Sequence, residues 1–163
     1  MPRTSVYERS VEIAAPATAL FRFHLDTRNA PLISPAAARF ARIEGRFPVT
    51  VGSLVTLKVR QPPIPIAQTW RVRIAEIRPD RLVVDVAERS PFALWRHAHI
   101  FDEVGPGRTR MTDRVEYALP FGPLGRLVDR LFARRQLEGM FEERHRRTKE
   151  LFESGDLATA PVG

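Results

Sequence analysis

Leu119-Pro120-Phe121-Gly122-Pro123, followed without another proline by the run to Phe152-Glu153, is the stretch whose reading decides the fold. Apolar residues fall at Leu124, Leu127, Val128, Leu131 and Phe132, then at Leu137, Met140, Phe141, Thr148, Leu151 and Phe152. Spacings of three and four place them on one stripe of a helix. Arg126, Asp129, Arg130, Arg134, Arg135, Glu138, Glu142, Glu143, Arg146 and Arg147 fill the other face. Gly122 suits an N-cap, Pro123 the first helical position, and Gly155 a left-handed C-cap, so the expected helix covers residues 122–153. Thirty residues at roughly 1.5 Å each make a rod of about 45 Å, which needs a broad apolar partner.

That partner is expected from the rest of the chain, which reads as strands. Tyr7 to Ile13 alternates, with Tyr7, Arg9, Val11 and Ile13 on one face. Pro16 then opens a short helix carrying Ala19, Leu20 and Phe23, and a second short helix or turn follows at Leu32-Ile33. From Arg39 onward come Arg39–Glu44, Ser53–Arg60, Gln68–Ile77, a strand from Leu82, Phe92–Glu103 and Thr109–Leu119. Trp70, Val72 and Ile74 are expected inward, as are Leu82, Val84 and Val86, with Asp85 outward. Pro62-Pro63-Ile64-Pro65 cannot be a ladder interior, because proline lacks the N–H; a stiff apolar connection at a cavity mouth is expected there. The fold class is therefore α+β: an antiparallel sheet of six or seven strands, curled around one long C-terminal helix. A curled sheet cannot touch a straight rod along its whole length, and the gap predicts a cavity.

Composition limits the alternatives. The chain is expected to be one domain over residues 1–155, with a disordered Ala/Pro/Gly-rich tail at 156–163. It contains no cysteine, so thiolate chemistry and disulfides are absent. Met1-Pro2-Arg3-Thr4-Ser5 lacks the apolar core of a signal peptide, and no run approaches a membrane span of about 20 residues, so a cytoplasmic protein is expected. The formal charge of +7 raises the question of RNA. Outside the last helix, however, the arginines stand singly along strands with acids between them. A basic solvated surface is the expectation, and nucleic acid is not an expected partner.

The end of the chain carries a more specific pattern. Trp95-Arg96-His97-Ala98-His99-Ile100-Phe101, Gly107 to Tyr117 with Met111, Asp113 and Val115, and Leu119-Pro120-Phe121-Gly122-Pro123-Leu124-Gly125 resemble the signature W-x-H-x-H-x-F, G-T-x-M-x-D-x-V-x-Y, L-P-F-G-x-L-G. Met140-Phe141-Glu142-Glu143-Arg144 resembles the M-F-x-x-R ending that goes with it. On these motifs the chain resembles the START-like helix-grip superfamily, often called SRPBCC, in its polyketide cyclase/dehydrase-like or coenzyme-Q-binding branches. The resemblance implies a cavity for a lipid, isoprenoid quinone or polyketide; no cofactor is expected. It also implies two alternatives: a cyclase or aromatase using the same cavity, and an RNA- or ribosome-associated protein.

The ligand-facing residues expected from pattern and resemblance together are Trp70, Val84, Trp95, His97, His99, Met111, Asp113, Val115, Tyr117, Leu127, Leu131, Leu137, Met140 and Phe141. If the last hairpin turns about Pro106, residue i opposes 212 − i, which sets His99 against Asp113 and His97 against Val115. A carboxylate beside an imidazole orients it and favours its protonated form. His99 and Asp113 are thus the reserve candidates for proton transfer, although a structural pair is the simpler expectation. Arg144 is a further candidate partner for Asp113, the other expectation being that it snorkels to the edge. No metal site is expected, because H-x-H with one aspartate lacks a third ligand and His24 and His145 are distant in sequence.

Overall fold

The computed structural model describes residues 4–62 and 64–155. The expected tail at 156–163 and Pro63 of the proline-rich connection lie outside the described residues. Seven strands form one antiparallel sheet: β1 (Ser5–Ile13), β2 (Arg39–Glu44), β3 (Leu54–Arg60), β4 (Gln68–Arg78), β5 (Leu82–Arg89), β6 (Leu94–Gly105) and β7 (Arg108–Ala118). Their order across the sheet is β1-β7-β6-β5-β4-β3-β2, so β2 to β7 form a meander and β1 adds beside β7. Between β1 and β2 lie α1 (Ala17–His24), a 3₁₀ turn at Thr27–Asn29 and α2 (Ala30–Ile33). Leu20, Phe21 and Phe23 of α1 bury their side chains, and Phe21 meets Phe101 of β6 edge-on at 6.2 Å. The sheet, the two small helices and the final helix are those the sequence predicts.

The last helix is not one uniform rod. It consists of α3 (Gly122–Val128), a π-helical turn (Asp129–Ala133) and α4 (Arg134–Glu153). At the end of the turn the Arg134 N–H donates to the Asp129 carbonyl, five residues back. A π turn inserts an extra residue and rotates everything beyond it relative to the preceding stripe. In α4, Leu137, Phe141, His145 and Thr148 are buried. In α3 and the turn, Leu124, Leu127, Val128, Leu131 and Phe132 are exposed. The expectation that Leu127 and Leu131 face the interior is therefore overturned: they are 54% and 52% accessible. Asp129 pins the turn to the sheet, accepting hydrogen bonds from Tyr117 Oη at 2.6 Å and Ser5 Oγ at 2.7 Å. Burial, then this bond, raises the Tyr117 pKa.

A second correction concerns β5. Val83 pairs with His99 and Asp85 with His97, and directly paired residues share a face. Val83, Asp85 and Ala87 therefore face the helix side, while Val84 pairs with Ala98 on the other face, buried but away from the interior expected for it. A run of valines carries no alternation to set its own register. Across β6 and β7 the expected register holds, with His99 opposite Asp113, His97 opposite Val115 and Trp95 opposite Tyr117. On the surface, Arg108 and Arg110 pair with Glu12 at 3.1 Å each, Arg114 with Glu8 at 3.3 Å, and Arg71 with Glu88 at 3.3 Å.

Candidate functional site

Two regions adjoin on the concave side of the sheet. The first is an apolar cavity of about 490 Å³ between the β3–β4 connection, the start of β6 and the final helix. Trp70, Phe92 and Trp95 form its aromatic wall, with ring centroids 4.8 to 5.8 Å apart. Leu137 and Met140 of α4 line it from the helix, as do Leu124, Val128 and Phe132 further up. Pro62 and Ile64 sit at its edge, where the proline-rich connection was expected. Of the expected ligand-facing residues, Trp70, Trp95, Leu137 and Met140 line this cavity. Met111, Val115, Tyr117 and Phe141 are instead buried in the packed clusters beside it.

The turn that precedes α3 closes the cavity at Leu119, Pro120 and Phe121. Phe121 has φ of 72°, a left-handed conformation that is strained for a bulky residue. Gly125, the final glycine of the L-P-F-G-x-L-G motif, packs so closely that a Cβ would overlap the Pro120 carbonyl oxygen. Gly125→Ala is expected to push the 119–121 turn outward, costing about 1–3 kcal/mol as overpacking does. Thermal denaturation, with probe binding measured in parallel, checks this. An unchanged melting temperature would mean that the turn yields freely.

The second region is polar and buried, and Asp113 is its hub. Its Oδ1 lies 2.7 Å from His97 Nε2 and its Oδ2 lies 2.6 Å from His145 Nε2. An ionised carboxylate only accepts, so both imidazoles must donate through Nε2. His99 Nδ1 is also 2.7 Å from Oδ1, but at an angle that makes no hydrogen bond. Burial alone would raise the Asp113 pKa, but the His99 charge and the imidazole hydrogen bonds hold it well below the usual carboxylate range. Burial likewise disfavours charge on His99, yet the Asp113 carboxylate prevails and raises its pKa. His97 is lowered by burial and by His99. His24 is lowered strongly, by burial, then His99, then Arg144. Asp113 is thus favoured in its charged form, His99 in its protonated form, and His97 and His24 in their neutral forms.

His99 and Asp113 are thus near neighbours, as expected. The helix residue that reaches Asp113 is His145, not Arg144, whose Nε is buried without a hydrogen-bond partner among the described residues. His145 follows Phe141 by four and precedes Thr148 by three, so the buried stripe of α4 includes it. Asp85, expected outside, faces the same cluster. Trp95 separates the two regions, with its ring centroid 6.1 Å from that of His97, and the imidazoles do not line the cavity.

The meander closed by β1, the paired small helices and the gripped C-terminal helix together define a helix-grip protein. Residues 4–153 match the family model described as polyketide cyclase/dehydrase and lipid transport, and the chain belongs to that family. Among solved structures it is similar to the Zhui aromatase/cyclase from Streptomyces sp. R1128, at 19% identity over 99% of each chain, with a TM-score of 0.70. It also resembles the di-domain ARO/CYC StfQ of the steffimycin biosynthetic pathway, at 15% identity over 93% of this chain and 51% of that one, with a TM-score of 0.73. A Thalictrum flavum norcoclaurine synthase point mutant, in complex with a transition state analogue, gives 15% identity, coverage of 96% and 98%, and a TM-score of 0.69. At such identities the likeness establishes the fold. No curated protein sequence gives a significant match. Among the described residues no helix is long and apolar enough to cross a membrane.

Proposed function

We propose that the protein binds a hydrophobic small molecule, of the lipid, isoprenoid quinone or polyketide class, in the cavity between the aromatic wall and the final helix. The observation that carries this reading is the cavity itself, apolar and about 490 Å³, within the size range of small-molecule sites. Its helix side supports the reading too: Leu124, Val128 and Phe132 are exposed as they stand, and a bound molecule would cover them. Met140 adds an adaptable thioether to the wall. Binding is favoured over cyclase chemistry because the buried acid–base cluster lies behind Trp95 rather than on the cavity surface.

The test is saturable binding of a neutral apolar fluorophore such as Nile red, with displacement by a ubiquinone or a long-chain fatty acid. Met140→Glu is expected to weaken probe binding about tenfold or more, because a carboxylate must then lose its water against an apolar ligand. A probe that fails to saturate, or that no lipid or quinone displaces, defeats the proposal. Native mass spectrometry of protein from its own host would identify a carried ligand.

A further inference from the structure

The chain has four histidines, and the fold gathers all of them about one carboxylate. His97, His99 and His145 contact Asp113, and the His24 ring lies 5.0 Å from that of His99. The histidine nitrogens turned away from Asp113 are the informative ones. His97 Nδ1 and His99 Nε2 both face Asp85 Oδ2, at 3.8 Å and 3.6 Å. These distances are too long for hydrogen bonds. The three atoms, one from each side chain, lie within 4.8 Å of one another.

Because His97 donates to Asp113 through Nε2, its Nδ1 presents a bare lone pair to the Asp85 carboxylate whenever the ring is neutral. A bare lone pair facing a carboxylate in a largely buried site is repulsive unless a proton on a neighbouring group or a metal cation stands beside them. Bonds of about 2.0–2.2 Å in a tetrahedral zinc site separate neighbouring ligand atoms by roughly 3.2–3.6 Å. Here the carboxylate-to-nitrogen spacings are already near that range. Asp113 supplies what such ligands require from behind: its carboxylate accepts from the far nitrogen of His97, fixing that ring's orientation and tautomer, and lies 2.7 Å from the far nitrogen of His99. His24 adds a third sign of an unfilled polar demand: its Nδ1 is 2.8 Å from the Leu20 carbonyl, leaving Nε2 out of solvent and without a hydrogen-bond partner among the described residues.

We propose that Asp85, His97 and His99 form a site for one divalent transition-metal ion of the zinc class, with Asp113 as the carboxylate that positions the His97 imidazole. Two imidazoles and one carboxylate suit zinc, cobalt or nickel better than magnesium or calcium. Three protein ligands leave a coordination position for water or for an oxygen of a bound molecule.

The experiment uses the full untagged chain, stripped with chelator and dialysed against Zn²⁺ or Co²⁺ alone. One ion per chain is expected, with the visible absorption of tetrahedral or five-coordinate Co²⁺ and a Zn²⁺-dependent rise in melting temperature. Asp85→Asn, which preserves shape at a partly accessible position, is expected to lower affinity by more than tenfold and to abolish the thermal shift. Asp113→Asn is expected to lower affinity about 10- to 100-fold, as loss of an orienting carboxylate does. Substoichiometric uptake by the parent chain overturns the proposal and leaves a hydrogen-bonded cluster only. Uptake that folded Asp85→Asn retains at parent affinity overturns it equally, because the ion then sits elsewhere. Far-UV circular dichroism establishes folding for each variant.

Discussion

Asp113→Ala is expected to cost about 3–5 kcal/mol in urea denaturation at neutral pH, the loss typical when one partner of a buried charge pair is removed. Asp113 has no accessible surface, and its two oxygens serve imidazoles from β6 and from α4. Without it, His97 and His145 lose their acceptors and His99 loses the negative charge that raises its pKa. The loss is a large part of the 5–15 kcal/mol by which proteins of this kind are stable. Asp113→Asn is expected to cost less, since the amide keeps the shape and one accepting oxygen while turning an NH₂ toward a donor. A change below about 1 kcal/mol for Asp113→Ala would show that sheet and helix do not depend on this hub.

Phe141→Ala is expected to cost about 3–5 kcal/mol, as a buried phenyl replaced by a cavity does. The ring is wholly buried, stacked on Tyr7 at 5.4 Å and edge-on to His97 at 5.2 Å. The informative control is Leu131→Asp, one helical stretch earlier. A single unbroken stripe would make it just as damaging, because it would bury an unpaired carboxylate. With Leu131 exposed in the π turn, the change is expected to stay within about 0.5 kcal/mol. Paired denaturation curves decide the point, and a collapse of Leu131→Asp would place the turn against the sheet after all.

These residues also show what the sequence made legible. The β6–β7 register could be read because both strands alternate and Gly105-Pro106-Gly107 fixes the turn. The β5 register could not, because Leu82-Val83-Val84 is apolar on both faces and only pairing with β6 turns Asp85 inward. The π turn leaves a trace in the sequence: Arg134-Arg135 falls where the stripe through Leu131 should continue, and apolar residues resume out of phase at Leu137. His145 left a clearer one, lying on the stripe of Leu137, Phe141 and Thr148. The cavity was foreseen in kind, and Pro62 and Ile64 at its edge were foreseen by position. Its upper wall at Phe121, Leu124 and Phe132 was not, because an unbroken helical stripe places Leu124 and Phe132 against the sheet and no pattern in the sequence aims Phe121 at the cavity.

The placement of β1 beside β7 has a consequence for how the protein is made. Strand β1 leaves the ribosome before β7, its neighbour in the sheet, and five other strands of the sheet are synthesised between them. Strands β2 to β6 can pair in sequence as they appear, each with the one before it. β1 cannot. At roughly 5–20 residues per second it waits on the order of 5–20 seconds, with Tyr7, Val11 and Ile13 uncovered, before β7 emerges. The helix that covers β1 comes later still. Closure is thus a late, long-range event, the kind of contact that slows folding and leaves an apolar strand open to mispairing or to chaperones. A nascent chain halted before Arg108 would hold a growing meander and a stranded β1, whereas one halted after Glu153 would have every strand pair available.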